Sequence, residues 1–129
     1  MSKNQYFQTF TSPGGREVLV ALSSASSEFL TFGEAAPHDY FIHVEHTPGA
    51  HTILRRASGS DEVSKEDLEF AARLAALHSK QKKASRVSVT YTEVKNVRRA
   101  PGPYKGTVLV SRSRKIVINI PADVRNDKK

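Results

Sequence analysis

A chain of 129 residues, 38% of them hydrophobic, is long enough for one domain with a real core, and the lack of cysteine excludes disulfides and thiolate metal sites. It holds no apolar run long enough for a transmembrane helix, and the start Met1-Ser2-Lys3-Asn4-Gln5-Tyr6 lacks the apolar centre of a signal peptide, so a cytoplasmic protein is expected. The net charge of +7 is divided unequally, with 5 Lys/Arg and 10 Asp/Glu in residues 1–70 against 15 and 3 in residues 71–129, balances of −5 and +12.

Tyr6–Thr11 reads as a strand, Ser12-Pro13-Gly14-Gly15 as a turn and Arg16–Ala21 as a second strand, so the chain opens on a hairpin. Residues 23–36 carry no clean period. Ser24 can cap a short helix with Phe29, Leu30 and Phe32 on its apolar side and Pro37 as its stop. Asp39-Tyr40-Phe41-Ile42-His43 then alternates, Thr47-Pro48-Gly49 is a tight turn, and a second alternating stretch ends in Arg55-Arg56.

The turn pins the register, and the register decides which side chains share a face. Tyr40, Ile42 and Val44 fall on one face, with Phe41, His43 and Glu45 on the other. On the second strand His51, Ile53 and Arg55 alternate with Thr52, Leu54 and Arg56. Two histidines and an arginine thus stand near one another on a rigid platform, which suits an anion or a nucleobase. The plain alternative is that the histidines are hydrogen-bonded structural residues beside a core.

Residues 57–62 form a loop. Ser64 is the N-cap of a helix from about Lys65 to Lys82, with Asp67 at the capping-box position. Leu68, Ala71, Ala72 and Ala75 form its apolar stripe, and the alanines let it lie close against a sheet. Val87–Tyr91 is a strand that continues irregularly to Val97. Arg98–Gly106 is a basic Pro/Gly loop. Thr107–Val110 and Lys115–Ile120 form a final hairpin around Ser111-Arg112-Ser113-Arg114. The expected class is α+β, a mixed, mainly antiparallel sheet with one long and one short helix. It is one domain over residues 1–122, followed by a flexible basic tail over 123–129.

A basic half on a small domain is the electrostatic footprint of a polyanion, and nucleic acid is the commonest such partner. Lys80, Lys82, Lys83 and Arg86 extend from the helix end, and Lys95, Arg98, Arg99 and Lys105 border the Pro/Gly loop. These, with Arg55 and Arg56, can pair with phosphates. His43, His51 and Tyr104 can stack on unpaired bases, whereas Tyr91 is better suited to the core. A metal site among His38, His43, His46 and His51 is disfavoured, because His43 and His46 differ in parity and a fourth ligand is lacking. The chain shows no nucleophile elbow, P-loop or Rossmann glycine pattern, so no enzyme and no cofactor is expected. A protein-interaction adaptor is the alternative function. DNA stays open as a ligand; a membrane surface is disfavoured, because no basic amphipathic helix carries large apolar residues.

Four ordered blocks resemble the NFACT-R domain, the RNA-binding module of the NFACT ribosome-quality-control proteins. Asp39 to His43, Gly49-Ala50-His51 and Arg55 are similar to the family's Asp-x-aromatic-x-His, Gly-Ser/Ala-His and basic residue. Glu69 to Lys80 resembles the family helix. Val87-x-Val89-x-Tyr91-Thr92, Val97-Arg98-Arg99, Gly102 and Gly106-x-Val108 resemble the family segment on the C-terminal side of that helix. The resemblance covers roughly Tyr6 to Pro121. It implies RNA binding, of tRNA or rRNA, contact with the large ribosomal subunit, and a translation-linked process such as ribosome quality control. The chain departs from the family pattern at Leu22 and Ser23, where members usually carry a glycine and a basic residue, and at Ser27-Glu28, where Asn-Asp is frequent.

Overall fold

A computed structural model describes residues 6–45, 50–80, 83–102 and 107–120. The chain order is β1 (Phe7–Thr11), β2 (Glu17–Ala21), α1 (Ser24–Phe29) running into a wider π turn (Leu30–Glu34), β3 (Tyr40–Val44), β4 (Thr52–Leu54), α2 (Lys65–Leu77), β5 (Arg86–Glu93), β6 (Val97–Arg99), β7 (Val108–Val110) and β8 (Arg114–Asn119). Six strands form one sheet in the order β1-β2-β4-β3-β5-β8, and β6 pairs with β7 in a separate ribbon. Every pairing is antiparallel. The expected α+β class holds, although the long helix has 13 residues and is modest.

Both faces of the sheet are covered at its centre. One face meets α2, where Val18, Ile42, Val44, Leu54, Val87 and Val89 bury themselves against Ala71, Ala72, Ala75 and Ala76. On the other, Phe7, Leu19, Ala21, Phe41 and Ile53 meet Leu30 of the π turn together with Val94 and Val97. β2 is buried on both faces, which is why Val18-Leu19-Val20-Ala21 is a continuous apolar run rather than an alternation. Each fully buried Leu, Ile or Phe contributes on the order of 1.5–3 kcal/mol.

The short helix is capped by Ser23, one residue before the expected Ser24, in a reciprocal box with Ser26. Ser64 caps α2 as expected, accepting from the Asp67 N–H at 3.1 Å. Asp67 itself is turned to another task. Its Oδ1 accepts from the Gly14 N–H at 2.8 Å and its Oδ2 lies 3.6 Å from Arg16 Nε, so it ties the first hairpin turn to the helix start. The helix ends at Leu77 rather than near Lys82. There the ring Nδ1 of His78 donates to the Leu74 carbonyl at 2.8 Å and the Ser79 hydroxyl to the Ala76 carbonyl at 2.8 Å, so two carbonyls of the last turn gain side-chain partners.

The final hairpin is corrected. β7 pairs with β6, and β8 pairs with β5, so the two stretches belong to different sheets. The Thr92 hydroxyl donates to the carbonyls of Ser111 and Arg112 at 2.9 and 3.3 Å, and Arg112 sits at φ 53°, turning the chain from the ribbon to the sheet edge. The start of the expected basic loop, Arg98 and Arg99, therefore belongs to a strand. The expected turn Thr47-Pro48-Gly49 and the tail over 123–129 lie outside the described residues.

A Cβ on Gly14 would overlap the Asp67 carboxylate, a fixed buried group rather than a mobile chain end. Gly14→Ala and Asp67→Ala are each expected to destabilise the fold by about 1–3 kcal/mol. The double variant should lose clearly less than the sum, because both changes break one contact. Urea unfolding of the four proteins measures this.

Candidate nucleic-acid interface

The centre of the β3–β4 motif is a carboxylate. Asp39 is 1% exposed, and its Oδ1 accepts from the Arg56 N–H at 2.9 Å. Its Oδ2 accepts from the Ala36 N–H at 2.9 Å and from an Arg55 guanidinium nitrogen at 3.0 Å. Strand alternation then sends the two arginines to opposite faces of the sheet. Arg55 reaches the Glu34 carboxylate at 2.8 Å and lies 3.6 Å from that of Glu17. Arg56 lies 4.4 Å over the Tyr40 ring, and donates to Glu93 at 3.0 Å and to the carbonyls of His38, Gly59 and Asp61 at 2.9, 2.8 and 3.0 Å. Arg16 adds a forked pair onto Asp61 at 2.7 and 2.8 Å.

These contacts tune the charged groups as opposite neighbours do. Burial disfavours the charged Arg55, but the hydrogen bond and charge of Asp39, then of Glu34, outweigh it and its pKa rises. Asp61 is held well below the usual carboxylate range by its hydrogen bond from Arg16 and then by the Ala57 N–H. Burial opposes ionisation of Glu93, yet the hydrogen bond from Arg56 and the charges of Lys95 and Arg56 leave its pKa lowered.

The expected site residues therefore separate into three groups. Arg55 and Arg56 are internal anchors, held by the carboxylates and carbonyls just named. His51 is 1% exposed, with Nδ1 hydrogen-bonded to Thr31 Oγ1 at 2.7 Å, so its ring is an interior one. His43 stands beside it, ring centres 5.8 Å apart, and is only half-buried. This proximity is what the alternation predicts. Arg55 shares their face but lies at the far end of the strand.

Lys80, Lys83 and Arg98 are exposed. Lys95 lies 3.6 Å from Glu93. Arg99 lies 4.3 Å over the Phe32 ring and 3.4 Å from Glu28, fastening the β6–β7 ribbon to α1. Val97 is buried while Arg98 is exposed, and Arg98 pairs with the exposed Leu109, so the two mark the outer side of the ribbon. Lys82, Tyr104 and Lys105 lie outside the described residues, as does His46 of the disfavoured metal cluster. Among the described residues no three His, Asp or Glu side chains are grouped to share an ion. Tyr91 packs edge-on to Tyr40 at 5.4 Å, beside the α2 core.

The sequence reading missed one surface. On the face away from α2, the apolar cover stops short of the β5–β8 side. There the register sets His43, Thr90 and Lys115 in one cross-strand row, Ser88 and Val117 in the next, and Arg86 and Asn119 in a third. Val117 is 48% exposed, and Arg86, Lys115 and Asn119 are exposed. The Thr92 bonds to the chain leaving β7 place the ribbon at the upper end of this open area. Among the described residues, the ion pairs of the basic half are Lys95–Glu93, Arg99–Glu28 and Lys115–Glu45 at 3.6, 3.4 and 2.6 Å. Arg86, Arg98 and Arg114 remain exposed to solvent. The surface depends on β8 lying beside β5, and local alternation does not reveal that pairing.

Residues 4–112 match the NFACT protein RNA binding domain. The chain is 31% identical over 120 residues to the Rqc2 homolog RqcH of Bacillus subtilis (strain 168), covering 93% of this chain and 20% of that protein. It thus spans about a fifth of the length of this curated relative. The C-terminal part of the fibronectin/fibrinogen-binding protein from Streptococcus suis has the same fold, with a TM-score of 0.82 at 23% identity over 95% of this chain and 49% of that one.

Arg55→Ala would leave the Asp39 carboxylate buried without its guanidinium. A loss of about 2–3 kcal/mol of stability is expected, below the roughly 3–5 of a fully buried pair because water still screens the Arg55 side chain. Acid should unfasten the Arg16–Asp61 fork. The Asp61 pKa is depressed on folding, so its stabilisation is complete above the ordinary carboxylate value of about 4 and fades as pH falls below it. The Tm gap between the native chain and Asp61→Asn, followed from neutral pH to about pH 3, should narrow only at the acid end.

Proposed function

Because the chain belongs to the family of the NFACT protein RNA binding domain, we infer that it is an RNA-binding module and not a catalyst. One observation carries this: the arginines of the acidic half are taken up by internal carboxylates, whereas the basic half keeps Lys80, Lys83, Arg86, Arg98 and Arg114 at the surface. An exposed cation can approach a phosphate with no internal pair to break. The ligand proposed is translation-linked RNA, tRNA or rRNA, met in the cytoplasm on or near the large ribosomal subunit. Similarity to an Rqc2 homolog supports a place in ribosome quality control. The chain spans a fifth of that relative, so the larger protein's activity is not carried over with it.

A protein-adaptor reading draws on a different region. Leu22 and Phe29 are 50% and 42% exposed, and the Phe29 ring lies 4.9 Å from that of Tyr6. This small apolar patch falls where the sequence departs from the family pattern. Leu22→Ser with Phe29→Ser should leave RNA affinity unchanged and weaken only protein contacts.

RNA affinity is expected to be salt-dependent. A slope of log affinity against log salt on the order of −3 to −6 corresponds to about 4 to 8 neutralised phosphates at the single-strand coefficient. Arg86→Ala with Arg98→Ala should weaken binding by about 1–3 kcal/mol and flatten that slope, without lowering the Tm. Fluorescence anisotropy over a salt series, with a thermal melt of each variant, is the measurement. Affinity that does not change with salt would remove the electrostatic basis of the proposal.

A further inference from the structure

Among the described residues, the half-covered sheet face holds one aromatic ring that is oriented and partly exposed to solvent. His43 is fixed from three sides. Its Nδ1 donates to the Val44 carbonyl at 2.8 Å. Its plane lies within 5° of that of Phe41, two residues back on the same strand face, with ring centres 6.0 Å apart. The His51 ring stands perpendicular to both, 4.9 Å from Phe41 and 5.8 Å from His43. His51 is itself held by Thr31, and its N–H donates to Ser27 Oγ at 3.1 Å. Phe41 is buried and His43 half-buried, so the two parallel rings step from the core toward the surface.

We propose that His43 is a stacking platform for an unpaired nucleobase of single-stranded RNA, laid across the open β3–β5–β8 part of the sheet. The proposal rests on RNA binding as the chain's function and names the part of RNA that this surface takes. A flat base placed over the outer side of the imidazole continues the Phe41–His43 series. The ring is already oriented, so little freedom is lost on binding. Thr90 lies directly across from His43 on β5, and Lys115 across from Thr90 on β8, giving a hydroxyl and an ammonium beside the platform.

Glu45 also faces this area. Its carboxylate accepts from the Ser88 hydroxyl at 3.0 Å and pairs with Lys115 at 2.6 Å, which offsets its charge. Arg86 at the lower end, and Arg98 on the ribbon at the upper end, supply positive charge for the flanking phosphates. A duplex keeps its base faces covered and cannot use such a ring. Phosphate contacts, by contrast, do not distinguish the two forms.

The test compares one short single-stranded RNA with a blunt duplex of the same sequence, by anisotropy at fixed salt. The proteins are the native chain, His43→Ala, His43→Gln and His43→Phe. His43→Ala and His43→Gln should weaken single-strand binding about tenfold, in line with the loss of one stacked base, and leave duplex binding within about twofold. His43→Phe, which has a ring but no ring nitrogen, should retain affinity for the single strand. His43 touches Phe41 and His51, so a thermal melt accompanies each variant. If His43→Ala does not fold, the comparison of Gln with Phe decides the question. Equal losses for Phe and Gln, or equal losses on single strand and duplex, overturn the platform while leaving RNA binding in place. No binding of either RNA by the native chain overturns RNA binding, and the platform with it.

Discussion

The buried carboxylate of Asp39 is the constraint on which the rest of the molecule depends. A carboxylate at 1% exposure is costly unless every lone pair is matched. Here it takes two backbone N–H groups and one guanidinium, from two separate stretches of chain. Those stretches are the end of the π turn and the end of β4, and Asp39 itself stands at the start of β3. Satisfying this one group therefore fixes where the short helical segment joins the sheet. It also fixes the point at which Arg55 and Arg56 leave β4 in opposite directions. Arg55 then holds Glu34 and Glu17 on one face, and Arg56 holds the 57–61 loop and Glu93 on the other. The pairs are internal fasteners more than a source of net stability, since apolar residues of the same volume could replace many such pairs.

The same network organises the charge. The acidic half is not a repulsive surface for RNA in proportion to its formal charge, because Glu34, Asp39, Asp61 and Asp67 all face arginines. Among the described residues the basic half makes fewer such pairs, and the three cations that do pair, Lys95, Arg99 and Lys115, each keep more than half of their side chains exposed. The electrostatic recognition we propose thus draws on the distribution of paired and exposed cations as much as on the net charge.

Much of the framework was legible in the sequence. The alternation of β3 and β4, the opening hairpin, the Ser64 cap and the alanine face of α2 are local patterns with local causes. So was the meeting of His43 and His51, because parity and register decide it. What the sequence left open depends on partners far along the chain. His51 is interior because Ser27 and Thr31, twenty or more residues earlier, are folded onto it. Arg55 and Arg56 are anchors because Glu34 and Glu93 come to them from other elements. The stretches 107–110 and 115–120 have the pattern of a hairpin, yet Asn96 and Thr92 bind the segment between them and direct each strand to a different partner. The open surface arises from that pairing and was unreadable for the same reason.

The central claim is that anchoring and recognition use different cations: the Asp39 network holds the fold, and the β5–β8 face with the outer side of the ribbon meets RNA. Titration of isotope-labelled protein with single-stranded RNA, followed by amide chemical shifts, tests it most directly. Shifts should concentrate at His43, Arg86–Thr90, Lys115–Asn119, Arg98 and Leu109, with Ala36, Asp39, Arg55, Arg56 and Asp61 little changed. Shifts centred on that second group, with the sheet edge unmoved, would contradict the account.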